Sequence, residues 1–187
     1  LSGNTVRLSD DGRTVLVGTY IINNAGNRSM SLKAYYNEVD TNVWVQMGSE
    51  TTFIASEASA QVPISLSNDG TTFAVGILGD GTQADYKGNV EIYSLSNGIW
   101  IKRGQTIEGE NVGDACGASV SLNSAGNIIA IGSPNNNTAG IGSGQVRSFS
   151  YTNGSWMQVG ANIEGFGTTS NAGKNISING TGTRIVV

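Results

Sequence analysis

The stretch Gly117–Pro134 reads G-A-S-V-S-L-N-S-A-G-N-I-I-A-I-G-S-P. Val120-Ser121-Leu122 alternates, Ser124-Ala125-Gly126 turns, and the apolar run Ile128–Ile131 is closed by Gly132. Two short strand signals flanking a glycine turn form a β-hairpin pattern. The same pattern occurs as Val6-Arg7-Leu8 with Val15–Gly18, as Ile64-Ser65-Leu66 with Phe73–Gly76, and as Ile176-Ser177-Ile178 with Ile185–Val187. Its turn glycines, Gly12, Gly70, Gly126 and Gly182, lie 58, 56 and 56 residues apart. A fixed period of this size is the mark of a repeat array.

Working outward, a tryptophan segment recurs with a 56-residue spacing: Trp44-Val45-Gln46, Trp100-Ile101-Lys102 and Trp156-Met157-Gln158. Before each lies another strand signal: Leu32–Tyr35, Val90–Tyr93 and Val146–Phe149. Asn97-Gly98 and Asn153-Gly154 join the last two pairs, and Asn-Gly favours a two-residue hairpin turn because both positions tolerate positive φ. Each period thus holds four strands, A to D, about Ser119–Asn123, Ile128–Gly132, Gln145–Tyr151 and Ser155–Val159 in the third.

The fold class is therefore all-β. Four-stranded antiparallel units repeated radially make propeller blades, with approximate bounds 1–60, 61–116, 117–172 and a half blade at 173–187. Three and a half blades do not close a ring. The expectation is a partial propeller, cut from a longer chain, whose remaining blades come from that chain or another subunit. Trp44, Trp100 and Trp156 hold the same place in every repeat, which assigns them to packing between blades.

The totals narrow the chemistry. Of 187 residues 38% are hydrophobic and 13% charged, so disorder is not expected. Ten Lys+Arg against fourteen Asp+Glu leave a net charge of −4 with no basic cluster to neutralise phosphates, which argues against nucleic acid. No apolar run is long enough for a membrane-spanning helix. Cys116 is the single cysteine, read as a small buried residue before strand A. There is no histidine, and no pair of carboxylates recurs except Glu108 and Glu164 in I-E-G, read as loop caps. The expectation is a chain that is not an enzyme and carries no cofactor.

The order G-x-S-V-S-L-N-x-x-G-N-x-x-A-I-G-x-P, then G-x-V-x-x-F/Y, then W-x-x-x-G-x-x-I-x-G, resembles the FG-GAP family, which includes the propeller of integrin α subunits. The resemblance covers the whole chain and is closest in the third period. It implies a propeller, about seven blades, and ligand contact through the rim formed by the B–C and D–A loops. It also implies calcium in the A–B loop on D-x-[DN]-x-D-G-x-x-D. That pattern fails here, because Asp11 and Asp69 are the only acids that keep a ligand position of the pattern in the four loops, and Val15, Phe73, Ile129 and Ile185 stand at the closing position. A single carboxylate on a tight turn does not supply the 6–8 oxygens that calcium takes.

The A–B and C–D turns share one tight rim, and the long, divergent segments, 20–30, 78–87 and 135–143 between B and C and 50–60, 108–118 and 164–174 between D and A, lie on the other rim, where a rigid scaffold tends to carry function. Its candidates for ligand contact are Tyr20, Asn23, Asn24, Asp80, Asp85, Tyr86, Asn135 and Asn137. Asp80 and Asp85 form the one acidic pair of a B–C loop, a weak cation site. Among the sequons, Asn27 and Asn136 fall in loops and Asn153 in a hairpin turn, as glycosylation candidates. The reading is an extracellular or particle-surface interaction propeller that presents its loops to a protein or glycan. The alternative is a structural subunit of a filament, shell or surface layer, and a part of a propeller enzyme ranks below both.

Overall fold

The computed structural model describes residues 5–22, 28–54, 62–78 and 87–187, and every regular element among them is a β-strand. The first sheet contains β1 (Thr5–Leu8), β2 (Thr14–Ile22), β3 (Arg28–Asn37) and β4 (Trp44–Ile54). The second contains β5 (Ile64–Leu66), β6 (Thr72–Ile77), β7 (Asn89–Ser96) and β8 (Ile99–Lys102), with β9 (Ile107–Glu108) returning to β7. The third repeats this with β10 (Ser119–Leu122), β11 (Ile128–Ser133), β12 (Gln145–Thr152), β13 (Ser155–Gln158) and β14 (Ile163–Glu164). The last hairpin is β15 (Ser177–Ile178) and β16 (Ile185–Val186). Neighbouring strands are antiparallel throughout, so the chain is a set of up-and-down, propeller-like sheets.

Register follows the alternation. Val120 faces Ile131 and Leu122 faces Ile129 across β10 and β11, with Asn123 opening the turn. The Asn123 side-chain oxygen accepts the N–H groups of Asn127 (3.0 Å) and Ile128 (2.9 Å). Asn179 does the same for Thr183 and Arg184. In the first two turns a serine replaces the asparagine: Thr14 N–H donates to Ser9 Oγ at 2.8 Å and Thr72 N–H to Ser67 Oγ at 3.0 Å. Those hydroxyls in turn donate to Asp11 and Asp69 at 2.6 Å. The two acids of the degenerate calcium pattern are thus committed to closing their own turns.

Second-strand residues alternate between two interfaces. Phe73 and Val75 of β6 pack with Leu16, Leu32 and Ala34 of the first sheet, while Ala74 packs with Ile129 and Ile131 of the third. In β11, Ala130 turns instead toward Val146 and Ile178. A strand buried on both faces has no polar side to spare, which is why Ile128-Ile129-Ala130-Ile131 lacks alternation. The first strands of the four repeats also share a cavity of about 300 Å³, lined by Thr5, Arg7, Ile64, Val120 and Ile176 among others.

Two tryptophans connect the sheets. Trp100 is 7% exposed and Trp156 2%. The Trp100 indole N–H donates to the Met47 carbonyl (3.0 Å), and that of Trp156 to the Arg103 carbonyl (2.7 Å), one sheet back in each case. Each indole lies over a glycine of positive φ, Gly48 (φ 74°) or Gly104 (φ 77°), where a Cβ would come within 2.7 or 2.9 Å of the ring. Trp44 departs from the expectation of blade packing: it is 45% exposed on the first sheet, because no sheet precedes it among the described residues.

Tyr20 is a second correction. The pairing of β2 with β3 runs on to Ile22 and Arg28, so Tyr20 stands in a strand opposite Met30 and packs against the core instead of projecting from a rim loop. Likewise β4 continues to Ile54, where sequence reading placed a loop from Glu50.

Candidate functional site

Alternating strand direction places the B–C and D–A connections on one rim. The best-defined part is where the D–A loop of the second repeat meets the B–C loop of the third. Asp114, buried, ties them together: its carboxylate accepts the Asn111 N–H and the Asn136 side-chain amide, each at 2.9 Å. Its carbonyl accepts the Asn135 N–H at 3.2 Å. The Asn136 side-chain oxygen accepts the Thr138 N–H, and that of Asn137 the Gly142 N–H. The loop is thereby held in one shape, with Asn135, Asn137 and Ile141 pointing outward.

Beneath it lies a polar cluster. Gln145, 1% exposed at the start of β12, donates its side-chain amide to Glu110 (3.0 Å) and Glu164 (3.1 Å). Arg147, 7% exposed, donates to the Glu108 carbonyl at 2.6 Å and to Cys116 Sγ at 3.4 Å. Its other terminal nitrogen lies 3.9 Å from Glu110. Burial pushes the Cys116 thiol up, so it stays protonated and unreactive despite the arginine. Three buried atoms here have no hydrogen-bond partner: Gln145 Oε1, Glu164 Oε2 and Arg147 Nε. Such groups are costly to leave unpaired, so two acceptors and one donor of the cluster call for a small polar partner such as a buried water. Among the described residues no group of three or more His, Cys, Asp or Glu is placed to hold a metal ion.

Sequence reading found only part of this. Asn135 and Asn137 are on the rim as expected. Asn136 is corrected: it is fully buried with its amide spent on Asp114, so a glycan has no room there. Asn153 is exposed at the tip of the opposite rim, with φ 51°. Asn23, Asn24, Asn27, Asp80, Asp85 and Tyr86 lie outside the described residues. The Glu110–Gln145–Glu164 bridge was missed because Glu110 has no counterpart at the matched position, where the third repeat carries Phe166. The available signal was Glu164, which recurs in I-E-G and falls opposite Gln145 in register.

No family model matches the chain, and no curated protein does. Solved structures share its fold, and two of them illustrate the likeness. One is a hypothetical selenium-binding protein from Sulfolobus tokodaii, with a TM-score of 0.55 and 11% identity over 86% of this chain. The other is a 6-phosphogluconolactonase-like protein from Bacteroides uniformis, with a TM-score of 0.52 and 13% identity over 97% of this chain. The chain spans 40% and 62% of their respective lengths. At such identity the likeness shows the fold alone. It nevertheless corrects the expectation that this chain is not an enzyme, since a protein of the same fold carries an enzyme's name. The absence of histidine and of recurring carboxylates was too narrow a test, because carboxylates from unmatched positions meet at Gln145.

Proposed function

We propose that the chain is part of a propeller of the FG-GAP kind, about seven-bladed when complete, that displays its B–C and D–A loops at an extracellular or particle surface. Its ligand is a protein or a glycan. The observation that carries this reading is the third-repeat loop from Pro134 to Gly144. It is fixed by Asp114 and by its own asparagines, yet it leaves Ile141 77% exposed between polar groups. A side chain held out by a rigid loop loses little freedom on binding, which suits it to contact with a partner.

A glycan array, together with a panel of purified extracellular proteins probed by surface plasmon resonance, tests it. Binding to a defined component, lost in Ile141→Ser/Asn137→Ala while thermal stability is kept, is the expected result. Equal binding by the double variant removes the rim from the reading.

A second reading, hydrolysis of a phosphorylated sugar lactone, is favoured by the cavity shared by the first strands. Its lining includes Arg7 and Lys174, cations that suit a phosphate, beside Ser119 and Asn175. Lactone consumption above the spontaneous rate, reduced in Arg7→Ala/Lys174→Ala, supports it. A rate equal to buffer alone removes it.

A further inference from the structure

We propose that the cavity between the inner strands is a subsite for the acidic group, carboxylate or sulfate, of a sugar. The inference rests on the reading of the loop rim as the ligand face and narrows its glycan to an acidic one. Residues of all four repeats line the cavity, among them Thr5, Arg7, Ile64, Ser119, Lys174 and Asn175. Thr5, Ser119 and Asn175 lie at or just before the start of their inner strands, where the D–A connections enter. The cavity therefore sits toward the rim that carries the long loops.

Both cations of the cavity depart from the repeat. Ser65 Oγ accepts the Leu122 N–H at 2.9 Å and Ser121 Oγ the Ile178 N–H at 3.1 Å, so a serine ties each of these inner strands to the next. Arg7 holds the matching place in the first repeat. A guanidinium has no acceptor to offer, so a structural link is exchanged there for a charge. Lys174 likewise stands where the earlier repeats carry Val62 and Ala118, apolar residues of the same cavity wall. Side chains that pack recur with the repeat, and two departures of one sign at one cavity do not follow from packing.

Neither charge is spent. Among the described residues Arg7 and Lys174 form no ion pair, and the Arg7 side chain donates only to its neighbour, the Val6 carbonyl. No Asp or Glu lines the cavity, in a chain with fourteen acids against ten Lys+Arg. The local field is thus opposite in sign to the net charge, which favours an anion here over one elsewhere on the surface. The other groups suit sugar hydroxyls. Ser119 donates to the Gly173 carbonyl at 2.6 Å, leaving its oxygen to accept. The Asn175 side chain makes no hydrogen bond among the described residues and offers both donors and an acceptor. A volume of about 300 Å³ is at the small end of ligand pockets, enough for one charged ring and too little for a folded segment of chain.

Three probes, titrated into the protein by isothermal calorimetry, separate the sources of charge. A hyaluronan tetrasaccharide carries carboxylates alone, a chondroitin sulfate tetrasaccharide adds sulfate, and a carboxyl-reduced hyaluronan tetrasaccharide is neutral. Saturable binding of an acidic probe is expected, at least about tenfold tighter than that of the neutral one, as one charge-assisted hydrogen bond supplies. It should weaken with added salt. Arg7→Ser and Lys174→Ala give each position a residue that another repeat carries, so the melting temperature should hold while acidic binding falls by a similar factor. Equal affinity for acidic and neutral probes, or acidic binding unchanged in both variants, overturns the proposal. So does displacement by inorganic phosphate at the probe's own concentration, which would return the cavity to the lactone reading. Binding of the neutral probe lost only in Ile141→Ser/Asn137→Ala overturns it too, and leaves the loop rim standing. No binding by any probe overturns it as well, and the panel of purified proteins then decides the rim alone.

Discussion

Tryptophans at one repeat position have unequal roles here, and the inequality is measurable. Removing the Trp156 side chain empties a buried site and leaves the Arg103 carbonyl unpaired, so Trp156→Ala should cost about 3–5 kcal/mol in urea unfolding. Trp44→Ala should cost under about 1 kcal/mol, because that ring is half in water already. Equal losses would mean that Trp44 is covered in solution. A charged residue gives a second test. Burial works to raise the Glu91 carboxyl, but hydrogen bonds from Lys102, Tyr93 and Thr106 outweigh it and hold the group below its ordinary value of 4.5. Its contribution is therefore complete above about pH 4.5 and is lost as pH falls through the lowered value. The melting temperature should drop on acidification below that point, with a shallower slope in Glu91→Gln. The tryptophans were legible because packing recurs with the repeat. Asn136 was not, since a sequon carries no information about the buried Asp114 that claims its amide.

The A–B turn is the element whose sequence and shape agree most closely. One side-chain oxygen, from Asn123 or Asn179, accepts two backbone N–H groups, and Ser9 and Ser67 work with an aspartate to the same end. Asn123→Ala leaves two N–H groups without that acceptor and should destabilise by about 1–3 kcal/mol. Asn123→Asp keeps the acceptor and should cost less, read in the same unfolding series. Strand bounds in the third repeat were readable to within about two residues, as is usual where alternation is strong. Those of the first repeat were not. Loop composition concealed the strand residues 20–22, 28–30 and 50–54, which persist because each strand is paired by its neighbour, and pairing partners are invisible in a local window. The polar cluster at Gln145 was hidden for the same reason, since it joins residues 35 and 19 positions apart.

For the molecule as a whole, the sheets are bound to each other by side-chain layers that repeat, so stability should spread along the array and not reside in one core. Gly104→Ala strains a positive φ and forces a Cβ against Trp156, and should loosen the interface of the second and third sheets before the rest. Hydrogen exchange after that change is expected to accelerate first in β10 to β13. Uniform acceleration over all sheets would indicate a single cooperative unit. The repeat, the all-β class and the alternation of faces came directly from periodicity. The ligand did not, because loops that differ from one repeat to the next leave no pattern to read.

Along the tight rim, one backbone hydrogen bond connects each turn to the next: Asp10 N–H to the Asn68 carbonyl, Asn68 to Ser124, and Ser124 to Gly180, at 3.0, 3.0 and 3.1 Å. These bonds lie in single file, like links of a chain. Tension applied along the rim would pass undivided through every link, and the array would part at its weakest one. The apolar side chains between neighbouring sheets, by contrast, form layers of several residues that would share a sideways load. An array of sheets so made is stiff against sliding of one sheet past the next and yields to being uncoiled from one end.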